Sequence, residues 1–294
     1  MADQPPLRVG DFQRTYDPSV GEAEPWYIND HTFVRGEDGL WRLFGITHPE
    51  PANPFDETFL AHVTAPDLAG PWTKHAPVMH ADAAWGETHV WAPHVIRHDG
   101  RYWMFYCGGG ASPQTYRIHL ATSDDLATWE RHPANPMVVD GYEARDPMVL
   151  WLGDRWALYY TATSTPDGGH HTVKAVFSDD LIHWSGAVEV YRHWLEGTGG
   201  GPTESPFVVR RGDQWLLFVC TNRDYVDTAV FESDTPTHWE HARRVLRFPA
   251  HAAEVIDAGD GRWFVSSCGW GQGGVYLAPL TWIDRARSAK PQGA

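Results

Sequence analysis

The 294-residue sequence predicts an all-β fold, a single five-bladed β-propeller of mostly four-stranded antiparallel blades. Three observations carry this prediction. A turn motif ending in Trp recurs at a fixed period, strand-like segments recur ahead of each copy, and no stretch of useful length has helical periodicity.

The motif reads Ser-Asp-Asp-Leu-Ala-Thr-Trp at 123–129, Ser-Asp-Asp-Leu-Ile-His-Trp at 178–184 and Ser-Asp-Thr-Pro-Thr-His-Trp at 233–239, starting every 55 residues. A looser copy at 65–72 precedes these, and a shortened one at 278–282 follows. Ahead of each copy stand an apolar strand, an Asp/Gly turn and an aromatic-rich strand: 33–34 with 40–44, 94–96 with 102–106, 148–150 with 156–160, 207–209 with 215–218, and 254–256 with 263–265. Third strands are expected at 59–63, 118–122, 173–177, 228–231 and 275–277. The blades then span about 27–80, 87–140, 143–196, 202–248 and 250–284, with 11–16 the candidate for closing the ring. A β-sandwich would not require the Trp motif five times. Each unit alone leaves a sheet face uncovered, so the five pack radially as one domain. Trp41, Trp156, Trp215 and Trp263 are expected in the blade cores.

Composition narrows the function. The chain is 42% hydrophobic with 16 Trp and a net charge of −15. Nucleic acid and anionic membranes both call for a clustered basic face, so neither is an expected partner. A small neutral sugar or oligosaccharide fits better. No apolar run approaches the ~20 residues of a membrane span. The start, Met1-Ala-Asp-Gln-Pro-Pro6, lacks a basic segment followed by an apolar one, and Cys107, Cys220 and Cys268 form no disulfide or zinc pattern. A cytoplasmic location and buried cysteines are the expectation. Nothing in the pattern points to a particular oligomeric state.

The residues preceding each innermost strand read Ile28-Asn29-Asp30-His31, Val90-Trp91-Ala92-Pro93, Ala144-Arg145-Asp146-Pro147, Thr203-Glu204-Ser205-Pro206 and Ala250-His251-Ala252-Ala253. In a propeller these positions open onto the central funnel. Three of the five hold a carboxylate: Asp30, Asp146 and Glu204. Converging carboxylates repel one another and lose solvation, so chemistry or a metal must use them. Glycoside hydrolysis needs a carboxylic acid to protonate the leaving oxygen and an ionised carboxylate as base or nucleophile.

With those residues in view, the chain resembles the five-bladed furanosidase-like glycoside hydrolases of families 32, 43, 62 and 68. Asn29-Asp30, Arg145-Asp146-Pro147 and Glu204-Ser205-Pro206 are similar to their three signature motifs, in order, and Trp91-Ala92-Pro93 is similar to the Trp-Ala-Pro of family 43. The resemblance implies Asp30 as general base or nucleophile, Asp146 as transition-state stabiliser and pKa modulator, and Glu204 as general acid. The chain departs from these families at His31, where Pro is usual, at His94, where family 43 has Asp, and at Ser205, where Cys or Gly is usual.

Asn29, Trp91, Arg145, His251, Glu254 and Trp270 are the expected substrate-binding residues; Arg145 has a second reading as the ion-pair partner of Asp146. Trp270 sits in the Gly-rich run 268–274. No cofactor is required, although a structural calcium ion in the central channel is compatible with the pattern. The run 197–203 lacks a P-loop ending and reads as a flexible approach to Glu204; His170-His171 reads as part of a surface turn. No Gly-x-Ser-x-Gly elbow occurs. The expected activity is exo-acting removal of a terminal furanosyl residue, fructosyl or arabinofuranosyl. The rivals are a non-catalytic sugar-binding propeller, glycosyl transfer or β-xylosidase-type activity with the same acids, and a lyase or isomerase using them on a modified sugar.

Overall fold

The computed structural model describes residues 5–197 and 201–284. It is all-β, with five antiparallel sheets in a ring. Strands β1 (Leu7–Val9) and β2 (Gln13–Tyr16) come first in the chain. Blade I holds β3 (Trp26–Arg35), β4 (Trp41–Pro49), β5 (Leu60–Ala65) and β6 (Thr73–Lys74), and blade II holds β7 (His89–His98), β8 (Arg101–Gly109), β9 (Arg117–Ser123) and β10 (Glu130–Arg131). Blade III is β11 (Arg145–Trp151), β12 (Trp156–Thr165), β13 (Gly168–Ser178) and β14 (Val188–Glu196). Blade IV is β15 (Phe207–Arg211), β16 (Gln214–Cys220), β17 (Thr228–Ser233) and β18 (Arg244–Phe248). Blade V runs β19 (Val255–Asp257), β20 (Trp263–Ser267) and β21 (Val275–Trp282), and both β1 and β2 pair antiparallel with β21.

The recurring motif turns out to be a joint. In blades II and III its Ser hydroxyl accepts the backbone N–H two and three residues on, and its second Asp caps the next two N–H groups, from Ala127 and Thr128 and from Ile182 and His183. This local bonding holds Leu126 and Leu181 at positive φ with their side chains buried. The terminal Trp then packs edge-on against the aromatic residue of the second strand in the preceding blade. Trp129 meets Phe44 at 5.7 Å, Trp184 meets Phe105 at 5.8 Å and Trp239 meets Tyr159 at 6.0 Å.

The core lies in the seams between blades. Phe44, Met104 and Tyr106 fill the first seam, Phe105, Leu158 and Tyr160 the second, Tyr159, Leu217 and Phe231 the third, and Phe218, Val255 and Leu280 the fourth. Ile28 and Leu43 meet Cys268 and Val275 where blade V returns to blade I. Burying each large side chain contributes about 1.5–3 kcal/mol.

One local reading changes. His170 and His171 lie on β13, where the strand extends back to Gly168, and His171 is fully buried. Of the run 197–203, residues 198–200 fall outside the described residues.

Candidate active site

At the start of each inner strand the ladder breaks. Register shifts fall between Ile28 and His31, between Trp91 and His94, and between Arg145 and Met148. Ala92 (φ 46°), Asp146 (φ 55°), Ser205 (φ 49°) and Ala252 (φ 50°) hold left-handed backbone, which costs a non-glycine residue on the order of 1 kcal/mol. Such bulges re-aim side chains toward the axis. They also show that the slots form two tiers. Asn29, Trp91, Arg145, Glu204 and His251 line an upper cavity of about 370 Å³. One residue later, Asp30, Ala92, Asp146, Ser205 and Ala252 surround a narrow channel beneath it, and Asp30 and Asp146 border both spaces. Glu204 therefore stands one place earlier in its slot than the two aspartates.

The three carboxylates are tied together. Ser205 Oγ–H donates to Asp30 Oδ1 at 2.6 Å, while the Ser205 backbone N–H donates to Asp146 Oδ2 at 3.1 Å. Arg145 Nη1 sits 2.6 Å from both Asp146 Oδ2 and Glu204 Oε1. His251 Nε2 lies 3.5 Å from Glu204 Oε2. Its Nδ1 is 3.2 Å from the Cys268 carbonyl, which can only accept, so Nδ1 carries a proton.

Burial raises the pKa of Asp30; His251 opposes this and the Glu204 charge adds to it. Burial likewise raises that of Asp146, against the opposing Arg145. At His251 burial disfavours the imidazolium, but the hydrogen bond with Glu204 and the Asp30 charge outweigh it, and the net shift is upward.

Every expected substrate-binding residue except Glu254 reaches the upper cavity. Glu254 lies in the channel below, where it accepts the Phe33 N–H at 3.2 Å and faces His94 Nδ1 at 3.5 Å. Its place at the head of the fifth inner strand puts it below the tier that faces the cavity. Arg145 fulfils its ion-pair reading and also lines the cavity, with its Nη2 left without a partner among the described residues. Asn29 Oδ1 and Glu143 Oε2 are likewise buried and unpartnered there. Such groups are matched by a ligand rich in hydroxyls.

The channel gives calcium no proper shell. Among the described residues no three His, Cys, Asp or Glu side chains form a metal-binding group. His94 Nε2 donates to the Val149 carbonyl at 3.2 Å, leaving Nδ1 to share a proton with Glu254, whose pKa burial raises. Calcium takes six to eight oxygens. An imidazole–carboxyl pair that satisfies itself is not that set.

Sequence reasoning missed Glu57, Tyr116, Glu143, Asp224, Tyr225 and Gln272, which also line the cavity. Glu143 stands three residues before Asp146 and had a signal in that proximity; the others sit in loops without counterparts in the repeat.

A five-bladed propeller with an acid-lined axial cavity is the class of protein this describes. Residues 60–287 match Glycosyl hydrolases family 43, and the chain belongs to that family. It is 23% identical over 206 residues to an arabinan endo-1,5-alpha-L-arabinosidase A of Aspergillus niger, covering 65% of this chain and 57% of that protein. It is 24% identical over 154 residues to an extracellular exo-alpha-(1->5)-L-arabinofuranosidase of Cellvibrio japonicus, covering 44% of this chain and 42% of that one. The chain thus spans about half the length of these two curated relatives. Its fold matches a GH43_1 enzyme of Xanthomonas citri with TM-score 0.67 at 14% identity, covering 96% of this chain and 92% of that chain.

Proposed function

We propose that the protein is a glycoside hydrolase that releases terminal arabinofuranosyl residues. One observation carries the reading: carboxyl groups from three separate blades, Asp30, Asp146 and Glu204, meet in one cavity and are linked through Ser205 and Arg145. The arabinose-acting relatives on both sides of the endo/exo divide support the sugar, in preference to fructose. A cavity of about 370 Å³ lies at the small end of the roughly 300–1,000 Å³ usual for small-ligand sites, which supports a chain end over a long polymer segment.

In this mechanism Glu204 gives its proton to the leaving oxygen as the glycosidic bond breaks. His251, with Nδ1–H committed to Cys268, presents Nε2 to Glu204 and, in the route where Asp30 acts as base, relays a proton from solvent back to it between turnovers. Asp30 either takes the proton of the attacking water, or attacks the anomeric carbon to form a glycosyl ester that water then cleaves while Glu204 takes that water's proton. Asp146, held against Arg145, stabilises the oxocarbenium-like transition state without changing its bonding.

The test is a panel of 4-nitrophenyl α-L-arabinofuranoside, β-D-fructofuranoside and β-D-xylopyranoside, together with linear arabinan. Arabinofuranoside turnover with arabinose as first product is expected, and NMR of the first anomer assigns the role of Asp30. Inertness toward the arabinofuranoside, or arabinan cut first into long fragments, contradicts the proposal.

A further inference from the structure

Trp270 is 42% exposed and stands on a loop whose neighbours Gly269, Gly271 and Gly273 all have positive φ. A side chain at Gly269 would meet His251 Nδ1 at 3.1 Å, so glycine is needed where the loop passes behind the site. So glycine-rich a loop has little stiffness of its own. Its rigidity comes from blade I. Glu50 Oε1 accepts the Gly271 N–H at 2.7 Å, and Glu57 Oε1 accepts the Trp270 indole N–H at 2.9 Å.

Glu57 is itself fixed on three sides. It ends a short 3-10 turn (Pro54–Asp56), its carbonyl accepts the Val90 N–H of blade II at 3.1 Å, and Tyr27 Oη–H donates to the same Oε1 at 2.7 Å. It is 1% exposed yet lines the cavity. A buried carboxyl is costly unless it has a task, and the catalytic steps give Glu57 none. What it does here is join blades I and II to one indole of blade V. Trp270 in turn meets Tyr225 edge-on at 6.3 Å, and Tyr225 meets His251 at 5.5 Å, so the indole's place bears on the wall around the acid.

We propose that Glu57 is a positioning residue that sets Trp270 as the cavity wall gripping the sugar ring, and so governs substrate affinity without acting in bond cleavage. This rests on the reading of the cavity as a sugar site. The carboxyl does so as the neutral acid: burial pushes its pKa up to about 8, against the Tyr27 and Trp270 hydrogen bonds and with the Asp30 charge adding to the rise. Oε1 then accepts both donors, and no further anion is added beside Asp30.

The proposal is tested with Glu57→Leu, Glu57→Gln and Trp270→Phe, by kinetics on 4-nitrophenyl α-L-arabinofuranoside and by the Trp270 indole N–H resonance in 15N-labelled protein, assigned by its loss in Trp270→Phe. Glu57→Leu is expected to raise KM about tenfold, in keeping with a lost buried hydrogen bond, while kcat changes less than about threefold. The indole resonance should move toward that of an unbonded N–H. Glu57→Gln, whose amide oxygen still accepts, should recover most of the affinity and the resonance, and Trp270→Phe should raise KM with Glu57 intact. If Glu57→Leu leaves KM and the resonance in place, or if its loss falls on kcat, the proposal is overturned. Should Glu57→Leu not fold, failure of Glu57→Gln to hold the resonance, or an unchanged KM in Trp270→Phe, overturns it equally. A parent inert on the furanoside refutes the substrate reading instead, and the resonance still decides whether Glu57 holds the indole.

Discussion

Ser205 departs from the Cys or Gly usual in the motif that the sequence resembles, and its hydroxyl has work to do there: it holds Asp30 while its backbone N–H holds Asp146. A hydrogen bond to the ionised carboxylate favours that form, so losing it raises the pKa of Asp30 further. Ser205→Ala is therefore expected to shift the acidic limb of the kcat/KM profile upward by about one pH unit. A limb that stays in place would show that the hydroxyl does not tune Asp30. The three acids were legible because each stands just ahead of a recurring apolar segment, although β3 and β11 begin early enough to include Asp30 and Asp146; their two tiers were not. A bulge depends on how the ladder breaks, and nothing in Thr203-Glu204-Ser205 announces that Glu204 lines up with Arg145 and His251. Glu57 left no signal at all, since Tyr27, Val90 and Trp270 come to it from three blades.

At the scale of elements, the loop entering blade II is pinned by a buried carboxylate. Glu87 accepts from Tyr106 Oη at 2.6 Å and His119 Nδ1 at 3.1 Å, and Arg131 grips it with Nη2 at 2.5 Å from Oε2. In blade III Asp140 repeats the device with Tyr160 and Lys174. Burial works against the Glu87 charge, but the His119, Arg131 and Tyr106 hydrogen bonds win and lower its pKa to about 2. A depressed carboxyl stabilises the fold above its unfolded pKa of roughly 4.5, and that stability is lost as pH falls toward about 2. Urea unfolding of the parent should weaken across this window. Glu87→Gln should be less stable at pH 7, by about 3 kcal/mol or more for a broken buried pair, with a flatter acid dependence. Equal midpoints at pH 7 would remove Glu87 as the pin. The motif turns were readable because their bonds are local; this acid was not, because Arg131 lies 44 residues away. The extension of β13 through His170 and His171 escaped notice for a related reason: pairing with β12 and β14 overrides the Gly and Pro signals before it.

For the whole molecule, the question is how the ring stays shut. Leu7 of β1 and Tyr16 of β2 are buried against blade V, and both strands bond to β21. Removing residues 5–16 exposes that edge and deletes two large buried side chains, each contributing about 1.5–3 kcal/mol. A drop of several kcal/mol in stability, with aggregation through the open edge, is expected; an unchanged unfolding midpoint would mean the blades close without these strands. Five-fold repetition was legible because seam residues such as Trp129, Trp184 and Trp239 recur every 55 residues, with a looser copy on either side, whereas the function depends on what the ring gathers at its axis. The most direct measurement is therefore kcat/KM of Glu204→Gln across aryl α-L-arabinofuranosides of graded leaving-group pKa. The account predicts a loss of about 10²–10⁴-fold for poor leaving groups that shrinks as the leaving group improves. Parent-like rates, or the same loss for every leaving group, would contradict it.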